Sequence, residues 1–198
     1  MTILFSTLFS RPSGVISALK RNNTAIKDIK HMVISHDHWD HTGGMWFILQ
    51  NNPDINVYVC KNVSGNLKEK IRATGANLAE VNEFLRIKEN IFTTGEIAGE
   101  SGGKPVYEQS LIAKNGSGSA LIAGCSHPGI IKTLERANAA AGASIDFIIG
   151  GLHLREKDDK EILEIIYRLK SSGVKKISPC HCTGNKAVGL FKKEFGAG

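Results

Sequence analysis

The segment that most constrains this chain is residues 35–44, which read SHDHWDHTGG. Three of the seven histidines of the chain, His36, His38 and His41, fall within six consecutive positions of it. Residues 32–35 form a short apolar run of the kind that becomes a buried strand, so the histidines follow a predicted strand end. This placement indicates a metal site rather than a polar loop formed by chance.

The spacing of these residues predicts two neighbouring ions. His36 and His38 are two positions apart, so on an extended strand end their imidazoles point to the same side and can bind one ion. Asp40 and His41 lie in the turn towards the Thr42-Gly-Gly sequence, where the chain changes direction and can present them to a second ion. The mixture of nitrogen and carboxylate ligands suits zinc, iron or manganese and suits calcium poorly, with zinc as the first choice.

Two other kinds of zinc site do not fit the segment. A zincin-type H-E-x-x-H helix is excluded by the spacing, and a structural zinc finger needs cysteine pairs that the segment lacks. The sequence Cys180-His181-Cys182 is an alternative metal clip. Adjacent residues on an extended segment face opposite ways, however, so at most one face of that triplet can join a shared site.

Three later predicted strands, near residues 120–123, 145–149 and 174–178, each end in a loop that carries a histidine. These histidines are His127, His153 and His181. Functional groups gathered at strand ends on a rigid sheet are typical of an α/β active site.

Length and composition predict one domain over residues 1–198, with the polar stretch 61–90 as a possible insertion or lid. The formal net charge is +6, which permits a small anionic substrate. The basic residues are scattered and form no stripe interleaved with aromatics, which argues against nucleic acid. The four cysteines accompany no secretory signal and no apolar run long enough to cross a bilayer, so we expect a cytoplasmic protein that does not enter a membrane.

Two helices of the C-terminal half have clear boundary signals. A helix is predicted over residues 130–141 with its end near Gly142, and Asp158 followed by Glu161 predicts a capping box at the start of the next one. The Thr183 hydroxyl, next to His181, is predicted to cap the last helix or to hold a metal ligand in place, with the first role preferred. His31 precedes the predicted strand and is expected to be an ordinary surface histidine.

At this point a family resemblance becomes visible. The sequence HDHWDH followed by TGG resembles the signature of the metallo-β-lactamase superfamily, which implies an α/β fold, the αβ/βα sandwich. Residues 124–130 (GCSHPGI), 150–154 (GGLHL) and 179–184 (PCHCTG) are similar to the branch of 7,8-dihydropterin-6-methyl-4-(β-D-ribofuranosyl)-aminobenzene-5′-phosphate synthases.

The resemblance implies roles for individual residues. His36 and His38 would hold the first metal, and Asp40 and His41 the second, which His181 would complete. His127 would be a further ligand, with Cys125 as its competitor, and His153 would face the substrate. Catalysis would use a water shared between the two ions and deprotonated near neutral pH, oriented by Asp40.

The chain departs from the family pattern at its start. The opening ILFSTLFS resembles the beginning of a family motif like FDTG, but Ser6 stands where aspartate is expected and Leu8 where glycine is expected. The family strands before this motif are missing, so we expect a first sheet shortened at the N-terminus with an exposed edge. The outcomes considered are a compact shortened sandwich, a homo-oligomer that covers the edge, and a metal-binding fragment with impaired activity.

The leading function is therefore a dinuclear metal-dependent hydrolase or synthase-type enzyme acting on a small anionic substrate that carries a pterin or a phosphate. One alternative is a phosphodiesterase or nuclease-type hydrolase. A strongly salt-dependent affinity for RNA would favour this alternative. Another is a non-catalytic truncated homologue that still binds metal.

Overall fold

The computed structural model of the chain describes residues 2–6, 11–116, 118–142 and 144–196. The chain divides into two compact units, residues 1–83 and residues 84–198, each described here by itself. The expectation of one domain over residues 1–198 stays a prediction.

Unit 1 contains a four-stranded parallel sheet in the order β1-β2-β3-β4. Its strands are β1 (Thr2–Ser6), β2 (Ile29–Ile34), β3 (Asn56–Cys60) and β4 (Asn77–Val81). Its helices are α1 (Pro12–Arg21), α2 (Trp39–Thr42), α3 (Met45–Asn51) and α4 (Gly65–Ala73). The predicted strand near residues 32–35 is thus confirmed as β2. Val33, Val57 and Val59 are buried, as apolar residues of parallel strands usually are.

The segment predicted as an insertion or lid, residues 61–90, contributes to both units. Its part in unit 1 contains α4 and β4, and β4 pairs with β3 in the parallel sheet. Its last residues form β5 (Leu85–Lys88) in unit 2.

The start of the chain supplies the first strand of this sheet. β1 pairs parallel with β2, and Ser6 is aligned with Ile34. Leu8, the other departure from the family motif, lies outside the described residues. Among the described residues, no helix is long and apolar enough to cross a membrane.

Unit 2 contains a six-stranded sheet and a two-stranded ribbon. The sheet has the order β12-β11-β10-β9-β6-β5, and the ribbon pairs β7 with β8. After β5, the strands are β6 (Ile91–Thr93), β7 (Ile97–Ser101), β8 (Lys104–Glu108), β9 (Leu111–Asn115), β10 (Gly118–Ala123), β11 (Phe147–Gly151) and β12 (Lys176–Cys180). The helices are α5 (Ile130–Ala141), α6 (Asp159–Ser171) and α7 (Asn185–Phe195).

Strands β10, β11 and β12 are parallel, whereas β5, β6, β9 and β10 pair antiparallel in turn. Parallel strands need long crossover connections, and α5 and α6 supply them. Both helices bury an apolar stripe in one core cluster with the sheet, including Leu134 and Ile166. Full burial of one such side chain contributes roughly 1.5–3 kcal/mol to the free energy of unfolding.

The boundary signals read from the sequence are confirmed in this unit. Gly142 follows α5 with φ of 59°, in the left-handed region that glycine adopts at helix ends. Asp158 and Glu161 form the predicted capping box at the start of α6.

Candidate metal centre

In unit 1 the predicted ligands lie in the loop that leaves β2 and in the short helix α2. His36 and His41 are fully buried, and His38 and Asp40 are half-buried. The side chain of Thr42 donates a hydrogen bond to the carbonyl oxygen of His38 at 3.1 Å. The four residues are brought together because α2 turns the chain back on itself within one turn.

A single hydroxyl contacts two of these rings. The Ser35 Oγ lies 3.1 Å from Nδ1 of His36 and 3.1 Å from Nδ1 of His41. A hydroxyl oxygen has two acceptor sites, so it can accept an N–H from both rings. In that arrangement Nε2 of each ring is the nitrogen that would bind a metal ion, because the partner of one ring nitrogen sets the role of the other.

The His36–His38 pair has the geometry of two ligands of one ion. Nε2 of His36 lies 3.1 Å from Nδ1 of His38, with the rings nearly perpendicular at 79°. Two nitrogens that bind one tetrahedral zinc at about 2.0–2.1 Å lie about 3.3 Å apart. The pair therefore fits a zinc ion with little movement.

Asp40 and His41 form a second pair of donors. The Asp40 Oδ2 lies 3.5 Å from Nε2 of His41, which places a hard oxygen beside a ring nitrogen, a combination that suits a second transition-metal ion. Asp37 differs in its contacts, because its Oδ2 accepts the backbone N–H of Ser64 at 3.1 Å, next to the start of α4.

In unit 2 the predicted residues follow the parallel strands β10, β11 and β12. The loop after β10 is held by Glu108, a buried residue at the end of β8. One Glu108 carboxylate oxygen accepts the backbone N–H groups of Cys125 and Ser126 at 2.8 and 2.9 Å, and the other accepts that of His127 at 2.8 Å. Burial raises the pKa of Glu108, and these three hydrogen bonds oppose the rise.

All three loops contain a residue other than glycine with positive φ. These are Ser126 at 61°, His153 at 51° and His181 at 55°. Such conformations are uncommon outside glycine and cluster at functional sites. The Ser126 hydroxyl donates to the Gly151 carbonyl at 2.7 Å, which ties the first loop to the second.

His127 and His153 lie side by side at one cleft of unit 2. Their ring centroids are 4.4 Å apart, and both line a cleft of about 430 Å³. The charged residues of this cleft are Lys132, Glu135, Lys157 and Arg168. Three cations against one carboxylate favour an anionic ligand.

A second group of potential metal ligands takes one residue from each of the three loops. The potential ligand atoms of Cys125, His153 and Cys182 all lie within 4.8 Å of one another. A hydrogen bond with Cys125, followed by those with His153, lowers the pKa of Cys182 to about 4, against the effect of burial. The contact with Cys182 in turn raises the pKa of His153. Burial raises the pKa of Cys180, which lies outside this group.

Two predictions about single residues are wrong. Thr183 does not cap α7, since its hydroxyl donates to the Cys180 carbonyl at 2.7 Å and accepts the Leu152 N–H at 3.1 Å. It joins two strand ends instead, because the turn at residues 181–183 directs it back towards the sheet. His31 lies within β2 and not before it, half-buried, with Nδ1 3.0 Å from the Tyr58 hydroxyl.

Sequence reasoning missed Glu108 and Ser35. Glu108 shares a strand face with buried Val106, two positions earlier, and this Val-x-Glu spacing is only a weak signal of a buried carboxylate. The double contact of Ser35 depends on how α2 folds back, which no local pattern reveals.

Comparisons with known proteins agree with this architecture. The 7,8-dihydropterin-6-methyl-4-(beta-D-ribofuranosyl)-aminobenzene-5′-phosphate synthase of Methanocaldococcus jannaschii is 30% identical to this chain. The alignment is 234 positions long and covers 98% of this chain and 79% of the relative. An uncharacterized protein of the same organism is also 30% identical, over 80% of this chain and 70% of its own length.

Solved structures show the same fold. A crystal structure described as a metal-dependent hydrolase of the beta-lactamase superfamily matches with a TM-score of 0.80 and 27% identity, covering 98% of this chain and 83% of that one. The metallo-beta-lactamase fold protein YhfI of Bacillus subtilis matches with a TM-score of 0.68 and 13% identity, covering 98% and 82%. The predicted α/β class and metallo-β-lactamase fold are thereby confirmed.

A family model gives the assignment directly. Residues 2–124 match the model described as the metallo-beta-lactamase superfamily. With this match and a relative at 30% identity over nearly the whole chain, the chain belongs to the metallo-β-lactamase superfamily.

Proposed function

We propose that this chain is a dinuclear metal-dependent enzyme that acts on a small anionic substrate bearing a pterin or a phosphate group. Its metal ligands would be His36, His38, Asp40, His41, His127 and His181. The ions are two divalent transition metals, with zinc preferred over iron or manganese. Hydrolase and synthase-type reactions are both compatible with this centre.

The observation that carries the proposal is the 3.1 Å separation between Nε2 of His36 and Nδ1 of His38. That separation is close to the distance of about 3.3 Å expected between two nitrogens bound to one tetrahedral zinc ion. The neighbouring Asp40–His41 pair supplies the donors for the second ion.

Two bound divalent cations would supply an activated water and positive charge for a developing anion. The protein's own part is positioning. Ser35 fixes the ring orientation of His36 and His41, and the Asp40 carboxylate can accept a hydrogen bond that orients the attacking water. The Glu108 carboxylate holds the backbone that carries His127.

The cleft of unit 2 supports an anionic substrate. Lys132, Lys157 and Arg168 outnumber Glu135 among its charged residues, and His153 at its wall would contact the substrate. The relative from Methanocaldococcus jannaschii is a synthase of a compound that contains a dihydropterin and a phosphate, which supports the same substrate class.

Metal analysis tests the proposal. Protein purified without added metal should carry at least two transition-metal ions per chain, measured by plasma mass spectrometry. The variant His36→Ala/His38→Ala should carry at least one ion fewer. His31→Ala is the matched control, because His31 contacts Tyr58 outside the cluster, and its metal content should equal that of the unmodified chain.

An unchanged ion count in the folded double variant would overturn the central claim. Bound metal without turnover on pterin phosphates, phosphoesters, thioesters or lactams would favour the non-catalytic alternative over the enzyme.

A further inference from the structure

We propose that Cys125, His153 and Cys182 form a separate site for a soft transition-metal ion, of the zinc or copper(I) class, with an open fourth position. This three-ligand site lies entirely in unit 2. It goes beyond the proposed dinuclear centre and uses none of its six ligands. It does use Cys125, the alternative to His127 in that centre, whose potential ligand atom also lies within 4.8 Å of that of His127.

The geometry requires only small side-chain movements. The potential ligand atoms of the three residues all lie within 4.8 Å of one another. Two sulfurs bound to one tetrahedral zinc at about 2.3 Å lie about 3.8 Å apart. Closing the remaining gap of about 1 Å needs rotation about side-chain bonds, and the backbone can stay in place.

The surrounding backbone holds the ligands at this distance. Glu108 accepts the Cys125 N–H at 2.8 Å and so fixes the first ligand from a different strand. The Cys182 Sγ lies 3.6 Å from the Cys125 carbonyl oxygen. A Cβ at Gly151 would lie 2.7 Å from the Cys182 Sγ, so the absence of a side chain at this position creates the space for the sulfur.

The chemistry of the three donors selects the ion. Two sulfurs and one imidazole favour zinc and copper(I) and disfavour magnesium and calcium, which prefer oxygen. A Cys₂His set with three protein ligands leaves a fourth position for water or a small ligand. Cys125 is buried and Cys182 half-buried, whereas His153 is exposed, so the fourth position opens on the side of His153.

This assignment is compatible with a role for His153 in substrate binding. An imidazole has two ring nitrogens, and one can bind an ion while the other faces the cleft. The site would then place a metal-bound residue at the wall of the cleft that receives the anionic substrate.

Cobalt(II) reports the site directly, because a cobalt–thiolate bond gives a charge-transfer absorption in the near ultraviolet that histidine and carboxylate ligands do not give. Cobalt(II) is added to the full-length, metal-free chain in the presence of a reductant. The unmodified chain should show the absorption of two thiolates. Cys182→Ser should lose half of that absorption or more. Cys180→Ser is the matched control on the same strand end and should retain all of it.

A second variant keeps the test decisive if Cys182→Ser fails to fold. His153→Asn removes the imidazole but retains a residue that tolerates the φ of 51°. Its apparent affinity for cobalt at the thiolate band should fall at least about tenfold, since even supporting groups of a metal site are worth that much. An unchanged affinity in folded His153→Asn overturns the proposal.

Failure of the proposed dinuclear centre is distinguishable from failure of this site. His36→Ala/His38→Ala should lose cobalt that gives no thiolate absorption and keep the thiolate band. Undiminished thiolate absorption in folded Cys182→Ser overturns the soft-metal site, as does loss of the band in the His36→Ala/His38→Ala variant.

Discussion

The two units place their polar functional residues after parallel strands, but they do so by opposite means. In unit 1, four ligand-type side chains come from six consecutive residues. Ser35, the residue immediately before these six, contacts two of the histidine rings. In unit 2, the corresponding residues are spread over three loops, and the first and last of their histidines, His127 and His181, lie more than fifty positions apart along the chain. Contacts from distant strands hold those loops, above all the buried carboxylate of Glu108.

This difference assigns a different vulnerability to each unit. A local arrangement survives wherever β2 and α2 form, so mutations near it should change metal affinity more than stability. A long-range arrangement fails when its anchor is lost, so mutations of the anchor should change stability first.

The largest effect is expected for Glu108→Ala. The change leaves three buried backbone N–H groups without their acceptor and should lower the free energy of unfolding by roughly 3–5 kcal/mol. Urea unfolding followed by circular dichroism measures it. Glu100→Ala, at an exposed position of β7, should stay within about 0.5 kcal/mol of the unmodified chain. Equal effects of the two substitutions would contradict the comparison between the two units, because Glu108 would then not hold the loop after β10 in place.

The next effect is a contrast between two cysteines of unit 2 in metal-free protein. The pKa of Cys182 is lowered to about 4, so it stays a thiolate at neutral pH and its alkylation by iodoacetamide should be nearly constant between about pH 6 and 8. The pKa of Cys180 is raised, so its thiolate fraction should rise about tenfold per pH unit, roughly a hundredfold over the range. Mass spectrometry of each cysteine resolves the two.

The lowered pKa of Cys182 also makes the free energy of unfolding depend on pH. A depressed pKa at Cys182 contributes stability that is complete above its ordinary value of 9.0 and is lost as the pH falls towards about 4. Parallel pH profiles for the two cysteines would contradict the thiolate assignment.

The third effect concerns unit 1. Ser35→Ala removes the hydroxyl that contacts His36 and His41, and zinc affinity should fall about 10–100-fold, the usual cost of losing a group that orients ligands. Competition with a zinc-binding dye measures the affinity. Ser17→Ala, at an exposed position of α1, is the matched control. A loss of stability without a loss of zinc affinity would show that Ser35 supports the fold and leaves the ligands unaffected.

The smallest effect separates helix stability from loop anchoring. Asp158→Ala removes the capping box of α6 and should lower the free energy of unfolding by about 1 kcal/mol. Cobalt–thiolate absorption should not change, because the hydrogen bonds of the cap join Asp158 to Glu161 and do not involve a proposed ligand. Glu164→Ala, at an exposed position of the same helix, should change neither quantity. A weaker thiolate band in Asp158→Ala would show that the cap and the ligand loops are not independent.

The same contrast explains what could be predicted from the sequence. The His36–His41 cluster was visible because spacing along an extended segment determines which side chains share a side. The ends of β10 to β12 were predicted from apolar runs and glycines. The roles of Glu108 and Thr183 were not, because each depends on which strand lies beside which. The β7–β8 ribbon also escaped prediction, since its residues do not form a strong alternating pattern.

That ribbon has a mechanical consequence. A Cβ at Gly99 of β7 would lie 2.5 Å from the Pro128 nitrogen, and Lys132 donates to the Ala98 carbonyl at 2.9 Å. Together with Glu108 on β8, these contacts clamp the loop after β10 from both strands of the ribbon. A substitution that shifts the ribbon should therefore also shift the backbone of Cys125 and His127, which Glu108 holds.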